Sequence, residues 1–228
     1  MNLRRASVAA VALSTVLAVS ACGSDESDDT ASDTPTSAAP TDEASETPEA
    51  AAAEGQPAWA RGLTTPGTKI ATVDAGDLTV DVYQVGVTQA TKTGNFVDPE
   101  KNEPIIAEGD DIVFVNYVIT NNGDPIDLGY SLVDVSARYE NWPYLQGMDG
   151  ITDSALFEAQ DVLTSGPAPG GDSDVFTLGT GESFSYGENF RYEKGVKLDV
   201  KVGATPVDAS GDLIHDEKIE GEGSGTIS

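Results

Sequence analysis

The stretch DIVFVNYVITNNGDPI, residues 111–126, decides the fold class of this 228-residue chain. Over residues 111–120, apolar side chains occupy both faces of an extended backbone. One face carries Val113, Val115, Tyr117 and Ile119, and the other carries Ile112, Phe114 and Val118. A strand that is apolar on both faces is typical of the centre of a sheet covered on both sides. The sequence therefore predicts a central β-strand, followed by a turn at residues 121–125.

Alternation of apolar and polar residues with period two recurs along the chain after residue 58. It predicts half-buried strands with apolar positions from Leu78 to Val82, Val133 to Tyr139, Phe184 to Tyr192 and Val196 to Val202. Turns at residues 121–125 and 179–181 are expected to close hairpins, and a bulge is expected near Gly86. Only residues 153–160 favour a helix, capped by Asp153. Seven to nine short antiparallel strands predict an all-β sandwich with one short helix.

Two segments of this pattern resemble a known group of proteins. The stretch quoted above and the segment GTGESFSY, residues 179–186, are similar to the immunoglobulin-like (telokin-like) β-sandwich domains of uncharacterised actinobacterial cell-surface lipoproteins. The resemblance covers residues 110–200 and implies an immunoglobulin-like architecture, with no catalytic residue to carry over. The chain departs from the family pattern by a long insertion, residues 140–174, which is either a functional elaboration or a flexible loop.

The first 22 residues have the features of an export signal. Arg4 and Arg5 precede a largely apolar run that is too short to span a bilayer. The following sequence VSAC, residues 19–22, resembles the lipobox of bacterial lipoproteins, in which diacylglycerol is attached to the cysteine thiol before cleavage. We therefore expect residues 1–21 to be removed and Cys22 to anchor the chain by its lipid to the extracytoplasmic face of the cell membrane. The alternative is an ordinary cleavage site beside an unmodified Cys22.

The segment from Cys22 to Pro57 predicts a disordered acidic tether. Between residues 23 and 56 it has no aromatic or basic residue and no aliphatic residue larger than alanine, and it carries ten carboxylates. Such a composition cannot bury enough apolar surface to offset the entropy of ordering. The expected organisation is a signal peptide at 1–21, a tether at 22–57 and an immunoglobulin-like β-sandwich at 58–228.

Charge and residue scarcity argue against several classes of function. The formal charge is −27, and loss of two leader arginines brings it to −29, which disfavours nucleic-acid binding. Cys22 is the only cysteine, so a lipidated chain has no disulfide or thiolate nucleophile. His215 is the only histidine, and one histidine supplies neither a transition-metal cluster nor an obvious catalytic relay. We expect a chain that is not an enzyme.

Two groups of residues are candidate sites. An aromatic group falls around the predicted loop at residues 141–144 and consists of Tyr130, Trp142 and Tyr144. It predicts a binding patch for a protein or cell-wall partner. The alternative is ordinary packing at the rim of the core. The carboxylates of Asp110, Asp111, Asp172 and Asp174 are candidate calcium ligands, the alternative being an acidic solvated surface. Calcium is the one cofactor considered, and the sequence implies no other.

The sequence thus predicts a lipid-tethered, non-enzymatic β-sandwich that binds or adheres to a surface protein or cell-wall polymer. Two alternatives remain open from the sequence. One is a calcium-stabilised structural module of the envelope. The other is a ligand-binding accessory protein of a transporter or sensor, which a ligand pocket would favour.

Overall fold

Residues 111–121 form a central strand, as the sequence predicts, in one of two four-stranded antiparallel sheets. The computed structural model describes residues 55–145, 147–148, 150–170 and 173–228. The predicted signal peptide, Cys22 and most of the predicted tether lie outside the described residues. The first sheet has the order β1-β2-β5-β8, with the strands β1 Thr68–Ala75, β2 Leu78–Gln89, β5 Asp111–Asn121 and β8 Ser183–Arg191. The second has the order β10-β9-β6-β7, with the strands β6 Ile126–Tyr139, β7 Phe176–Leu178, β9 Lys197–Pro206 and β10 Ile219–Thr226.

The smaller elements lie outside these two sheets. Strands β3 Val97–Asp98 and β4 Glu103–Pro104 form a separate two-stranded hairpin. Helix α1, Ser154–Ala159, begins after Asp153, whose side chain accepts hydrogen bonds from the amides of Ala155 and Leu156, so the predicted cap is confirmed. A single 3-10 turn spans His215–Glu217. Within the described part of the chain, no helix is long and apolar enough to cross a membrane.

The strand connections confirm a sandwich but correct two predicted hairpins. Residues 121–126 carry the chain from β5 in the first sheet to β6 in the second, and residues 178–183 carry it back from β7 to β8. Both turns were expected to close hairpins, which is wrong because turn residues specify a reversal and not the sheet that receives the next strand. Strand β5 pairs with β8, as strand B pairs with strand E in immunoglobulin sandwiches. Strands β6, β9 and β10 are neighbours in that order, as are strands C, F and G.

The main core lies between the two sheets. Inward side chains from alternate positions of both sheets fill it, and the largest fully buried ones include Tyr117, Phe184, Phe190, Leu128 and Leu198. The predicted bulge is also present, because the pairing of β2 with β5 shifts register between Gln84 and Gly86. Alternation with period two therefore placed the core correctly.

The 140–174 insertion builds a second core on the outer face of the first sheet. Ile112 and Phe114, on the outer face of β5, pack with Ile151 and Phe157 of the insertion and with Ile106 of the β4–β5 connection. The rings of Phe114 and Phe157 meet edge to face with centroids 5.0 Å apart. This cover explains why β5 is apolar on both faces, and it shows that this part of the insertion is packed against the sandwich.

A segment at the start of the described chain, residues 55–64, runs along the outer edge of β8; we call it the N-terminal strap. The amides of Ser183 and Ser185 donate to the carbonyls of Gly55 and Gly62, over 2.8 and 3.4 Å. The indole Nε1 of Trp59 donates to the carbonyl of Thr177 over 2.7 Å. Gly55, inside the segment predicted as tether, is therefore already in contact with the sandwich.

Candidate functional site

A groove of about 600 Å³ opens on the outer face of the second sheet. Strands β6, β9 and β10 form its floor, and the chain between β9 and the 3-10 turn forms one wall. Its apolar lining includes Tyr130, Leu132, Val207 and Leu213. Tyr130 is 83% exposed and Leu213 is 54% exposed, which are large fractions for apolar side chains of this size. We call this feature the β6–β9–β10 groove.

The middle of the groove floor is a glycine. Gly203 of β9 pairs with Asp134 of β6 on one side and with Glu220 of β10 on the other. Directly opposite residues of antiparallel strands point to the same face of a sheet, so the two carboxylates flank a position without a side chain. A β-carbon added at Gly203 would meet no atom of the described residues within 4 Å. The open space between Asp134 and Glu220 above this residue is the Gly203 notch.

A bulge in β6 builds the aromatic end of the groove. The pairing of β6 with β9 is interrupted between Leu128 and Val133, and the four intervening residues carry Tyr130 outward. Leu132 within this bulge has a φ of 47°, a left-handed conformation that is strained for a bulky side chain. The ring of Tyr130 contacts that of Phe176 edge to face, with centroids 6.2 Å apart. The bulge therefore holds the exposed ring of Tyr130 against the buried ring of Phe176.

The charges of the groove are unequally satisfied. Lys201 lies 3.1 Å from a carboxylate oxygen of Glu222, and Lys218 lies 2.7 Å from one of Glu220. The hydrogen bond from Lys218 lowers the pKa of Glu220 below its usual range. Asp134 and Asp174 also line the groove, and neither has an ion pair with another described residue. Both lysines that line the groove are thus paired, whereas Asp134 and Asp174 have no ion pair within the part of the chain that the structure describes.

The structure divides the predicted aromatic patch. Trp142 and Tyr144 lie together, with ring centroids 5.0 Å apart, near the Tyr139 end of β6. Tyr130 lies near the opposite end of that strand, in the groove. Trp142 and Tyr144 are half-buried. Trp142 packs against both cores and Tyr144 against the second, so their surroundings match the packing alternative more closely than an exposed patch. Partner binding by these residues stays a prediction.

Tyr144 is held by an acid of the β3–β4 hairpin. Its hydroxyl donates to a carboxylate oxygen of Asp98 over 2.8 Å, and the amides of Glu100 and Lys101 donate to the other oxygen. The hydrogen bond from Tyr144 and those backbone amides lower the pKa of Asp98, while the same contact raises the pKa of Tyr144. This arrangement fastens the insertion to the hairpin.

The candidate calcium ligands are not assembled within the described residues. Asp110 accepts a hydrogen bond from the amide of Ala107 over 2.8 Å, and Asp111 begins β5 opposite Gln89. Asp174 lines the β6–β9–β10 groove, which lies on the other sheet, and Asp172 lies outside the described residues. Among the residues that the structure describes, no three acidic, histidine or cysteine side chains are grouped to hold a metal ion. The lone histidine, His215, is exposed on the 3-10 turn.

Of the groove residues, the sequence singled out Tyr130 as a partner-binding candidate and Asp174 as a calcium candidate, but not the rest. Gly203 carried a usable signal, because a glycine inside the alternating segment KVGATP marks either a bulge or a close approach to the strand. Leu213 carried none, since its position depends on how the chain folds back between β9 and β10. The arrangement combines an exposed ring, an open floor and two exposed carboxylates, which suits binding by contact and charge. Comparisons of the chain with protein-family models, curated proteins and solved structures found no match.

Proposed function

We propose that this chain is a lipid-anchored, non-enzymatic binding module on the extracytoplasmic face of a cell membrane, which engages a surface protein or cell-wall polymer through the β6–β9–β10 groove. Cys22 is the proposed point of lipid attachment. The VSAC sequence behind an export signal supports this anchor. The formal charge of −27 disfavours strongly anionic partners and so narrows the class of ligand.

The observation that carries the binding proposal is the exposed apolar end of the groove. Tyrosine offers a large, rigid contact area with a polar edge, and such side chains dominate the energy of many interfaces. Tyr130 is 83% exposed although its neighbour Phe176 is buried. The strained backbone of Leu132 supports the same proposal, since left-handed bulky residues persist where the surrounding structure imposes them, often at binding sites.

A photocrosslinking experiment on intact cells of the source organism tests this proposal. A benzophenone amino acid is introduced at Thr205, in the groove, and in a separate variant at Thr72, which is exposed on β1 of the other sheet. We expect a defined crosslinked species from position 205 and none from position 72. Tyr130→Ala in the position 205 variant should reduce that species severalfold. Equal crosslinking from both positions, or no effect of Tyr130→Ala, would reject the groove as the binding site.

A ligand-binding accessory protein is the second candidate function. The groove volume of about 600 Å³ lies within the range of about 300 to 1,000 Å³ that is usual for small-molecule sites, which favours this alternative. The groove opens on the outer face of a sheet, whereas the space between the sheets is filled by side chains. Crosslinking to a macromolecule in the experiment above would favour the binding module over this alternative.

A further inference from the structure

Gly203 is unlike the other glycines that lie in strands. There are six others in the ten strands, and a β-carbon added to any of them would come within 3.1 Å of another atom. A β-carbon at Gly203 would meet no described atom within 4 Å. The pairing of Gly203 is regular on both sides, and its φ lies outside the left-handed range. Glycine weakens the interior of a strand, and it is usually found there at a bulge, beside a closely packed backbone or where a ligand approaches closely. Gly203 is at no bulge and has no close backbone neighbour, which leaves the approach of a ligand.

The charges around the notch select the kind of ligand. Asp134 and Glu220 stand on either side of it, each one strand spacing from Gly203, or about 4.8 Å along the sheet. Lys218 already occupies one side of Glu220, whereas Asp134 has no ion pair among the described residues. An anionic group placed here would meet two carboxylates, whereas a cationic group could pair with the exposed carboxylate of Asp134.

The apolar end of the groove indicates what kind of molecule carries that cation. Tyr130 and Leu213 border the same groove as Asp134 and Gly203. A lysine or arginine side chain has an apolar stem that packs against such surfaces, and its charged head interacts favourably with carboxylates and aromatic faces. A free metal ion uses none of the apolar lining, so an organic cation on a longer chain accounts for more of the groove.

We infer that the β6–β9–β10 groove binds an extended peptide segment of a partner protein through a lysine or arginine side chain seated in the Gly203 notch. This inference rests on the proposed function and names its ligand class. The charged head lies between Asp134 and Glu220, the stem crosses Gly203, and an adjacent apolar residue of the segment contacts Tyr130 and Leu213.

Gly203→Thr is the main test, because its side chain would occupy the Gly203 notch without touching the neighbouring described residues. Threonine favours strands, so the urea midpoint of the variant is expected to equal or exceed that of the natural chain. A phage library of random heptapeptides is selected on the purified full-length chain in detergent and depleted on the Gly203→Thr variant. The recovered peptides should share a lysine or arginine beside an apolar residue. Failure to enrich any peptide over the variant, or enrichment of peptides without a base, overturns the inference.

Recovered peptides are then measured by fluorescence anisotropy at 150 mM salt. Gly203→Thr should weaken binding about tenfold or more, and Asp134→Asn about threefold to fivefold, since the pair is partly exposed. Glu108→Gln removes the same charge from an exposed loop on the other sheet and should change nothing. Equal losses for Asp134→Asn and Glu108→Gln would show general attraction to an acidic protein and reject the notch.

A peptide in which citrulline replaces arginine separates this inference from the proposed function. Citrulline keeps the shape of arginine without its charge. If Gly203→Thr abolishes binding of both peptides equally and citrulline binds as well as arginine, the groove binds by shape, so the cation inference fails while the proposed function stands. If crosslinking from position 205 also fails on cells, the proposed function itself is rejected.

Discussion

Two buried asparagine side chains connect separate segments of the chain by hydrogen bonds to backbone groups. Asn121, fully buried at the end of β5, donates to the carbonyls of Asp124 and Leu178, over 2.8 and 2.9 Å, and accepts from the amide of Gly123. Asn189 similarly exchanges two hydrogen bonds with the backbone of Ile151 and so ties the insertion to β8. At this scale, single asparagines fix connections that hydrophobic packing alone leaves undefined.

Asn121→Ala is expected to destabilise the fold by about 2 to 3 kcal/mol, because it leaves buried carbonyl and amide groups without partners. Asn122→Ala is the matched control. That neighbouring side chain is exposed, and its loss should cost less than about 1 kcal/mol. Urea unfolding of both variants measures the difference. Equal effects of the two substitutions would contradict the role given to Asn121.

The contact between Tyr144 and Asp98 makes a prediction about pH. The folded pKa of Asp98 is lowered, chiefly by the hydrogen bond from Tyr144, so the stabilisation is present above the unfolded pKa of about 3.9 and is lost as pH falls through the folded value. Tyr144→Phe should raise the folded pKa of Asp98 and lower the free energy of unfolding more at pH 7 than at pH 2. Carboxyl NMR titration and urea unfolding at both pH values measure this. A stability loss independent of pH would assign Tyr144 a packing role only.

At the scale of elements, β10 shows how glycine spacing shapes a sandwich. Its sequence IEGEGSGT alternates glycine with polar residues, and the glycines face β1 of the other sheet. A β-carbon at Gly221 would lie 2.4 Å from the carbonyl oxygen of Asp74, and one at Gly223 would lie 2.7 Å from Val73. The sheets therefore approach each other closely along this side because β10 has no side chains there.

Gly221→Ala is expected to destabilise the protein by about 1 to 3 kcal/mol through overpacking against backbone. Gly203→Ala, in the adjacent strand, adds the same methyl group in open space and should stabilise by about 0.5 to 1 kcal/mol. Thermal and urea unfolding of the two variants give opposite signs if the packing is as described. Destabilisation by both would mean that Gly203 is also constrained by the fold.

These elements show which parts of the structure the sequence could predict. Strands β5, β6, β8 and β9 follow from apolar alternation, since one buried face imposes that period. Strand β10 was missed because its inward positions are glycines, which carry no hydrophobic signal. Only Tyr130 and Asp174 of the groove were candidates from the sequence. Gly203, Leu213 and Asp134 come together through strand pairing and the fold-back of the chain between distant segments, which local sequence pattern does not encode.

For the whole molecule, the proposed anchor depends on one atom, the sulfur of Cys22. Cys22→Ser should leave the fold unchanged and release the chain from the membrane, because two or three acyl chains supply the membrane affinity. Detergent phase partitioning and membrane fractionation of cells that express each form measure this. An equally membrane-bound serine variant, or an unmodified thiol in the native protein, would reject lipidation and with it the proposed location.

Within the described residues, several borders of the two sheets are covered. The N-terminal strap and the carbonyl of Leu163 accept from alternate amides of β8, and the hydroxyl of Tyr186 bonds to the backbone of Val133 and Val135 along β6. On the remaining side β1 and β10 lie against each other. Unprotected strand borders recruit further strands and begin polymerisation. Copies held at one membrane surface by the proposed anchor would meet at high local density, and covered borders would disfavour their joining into larger sheets.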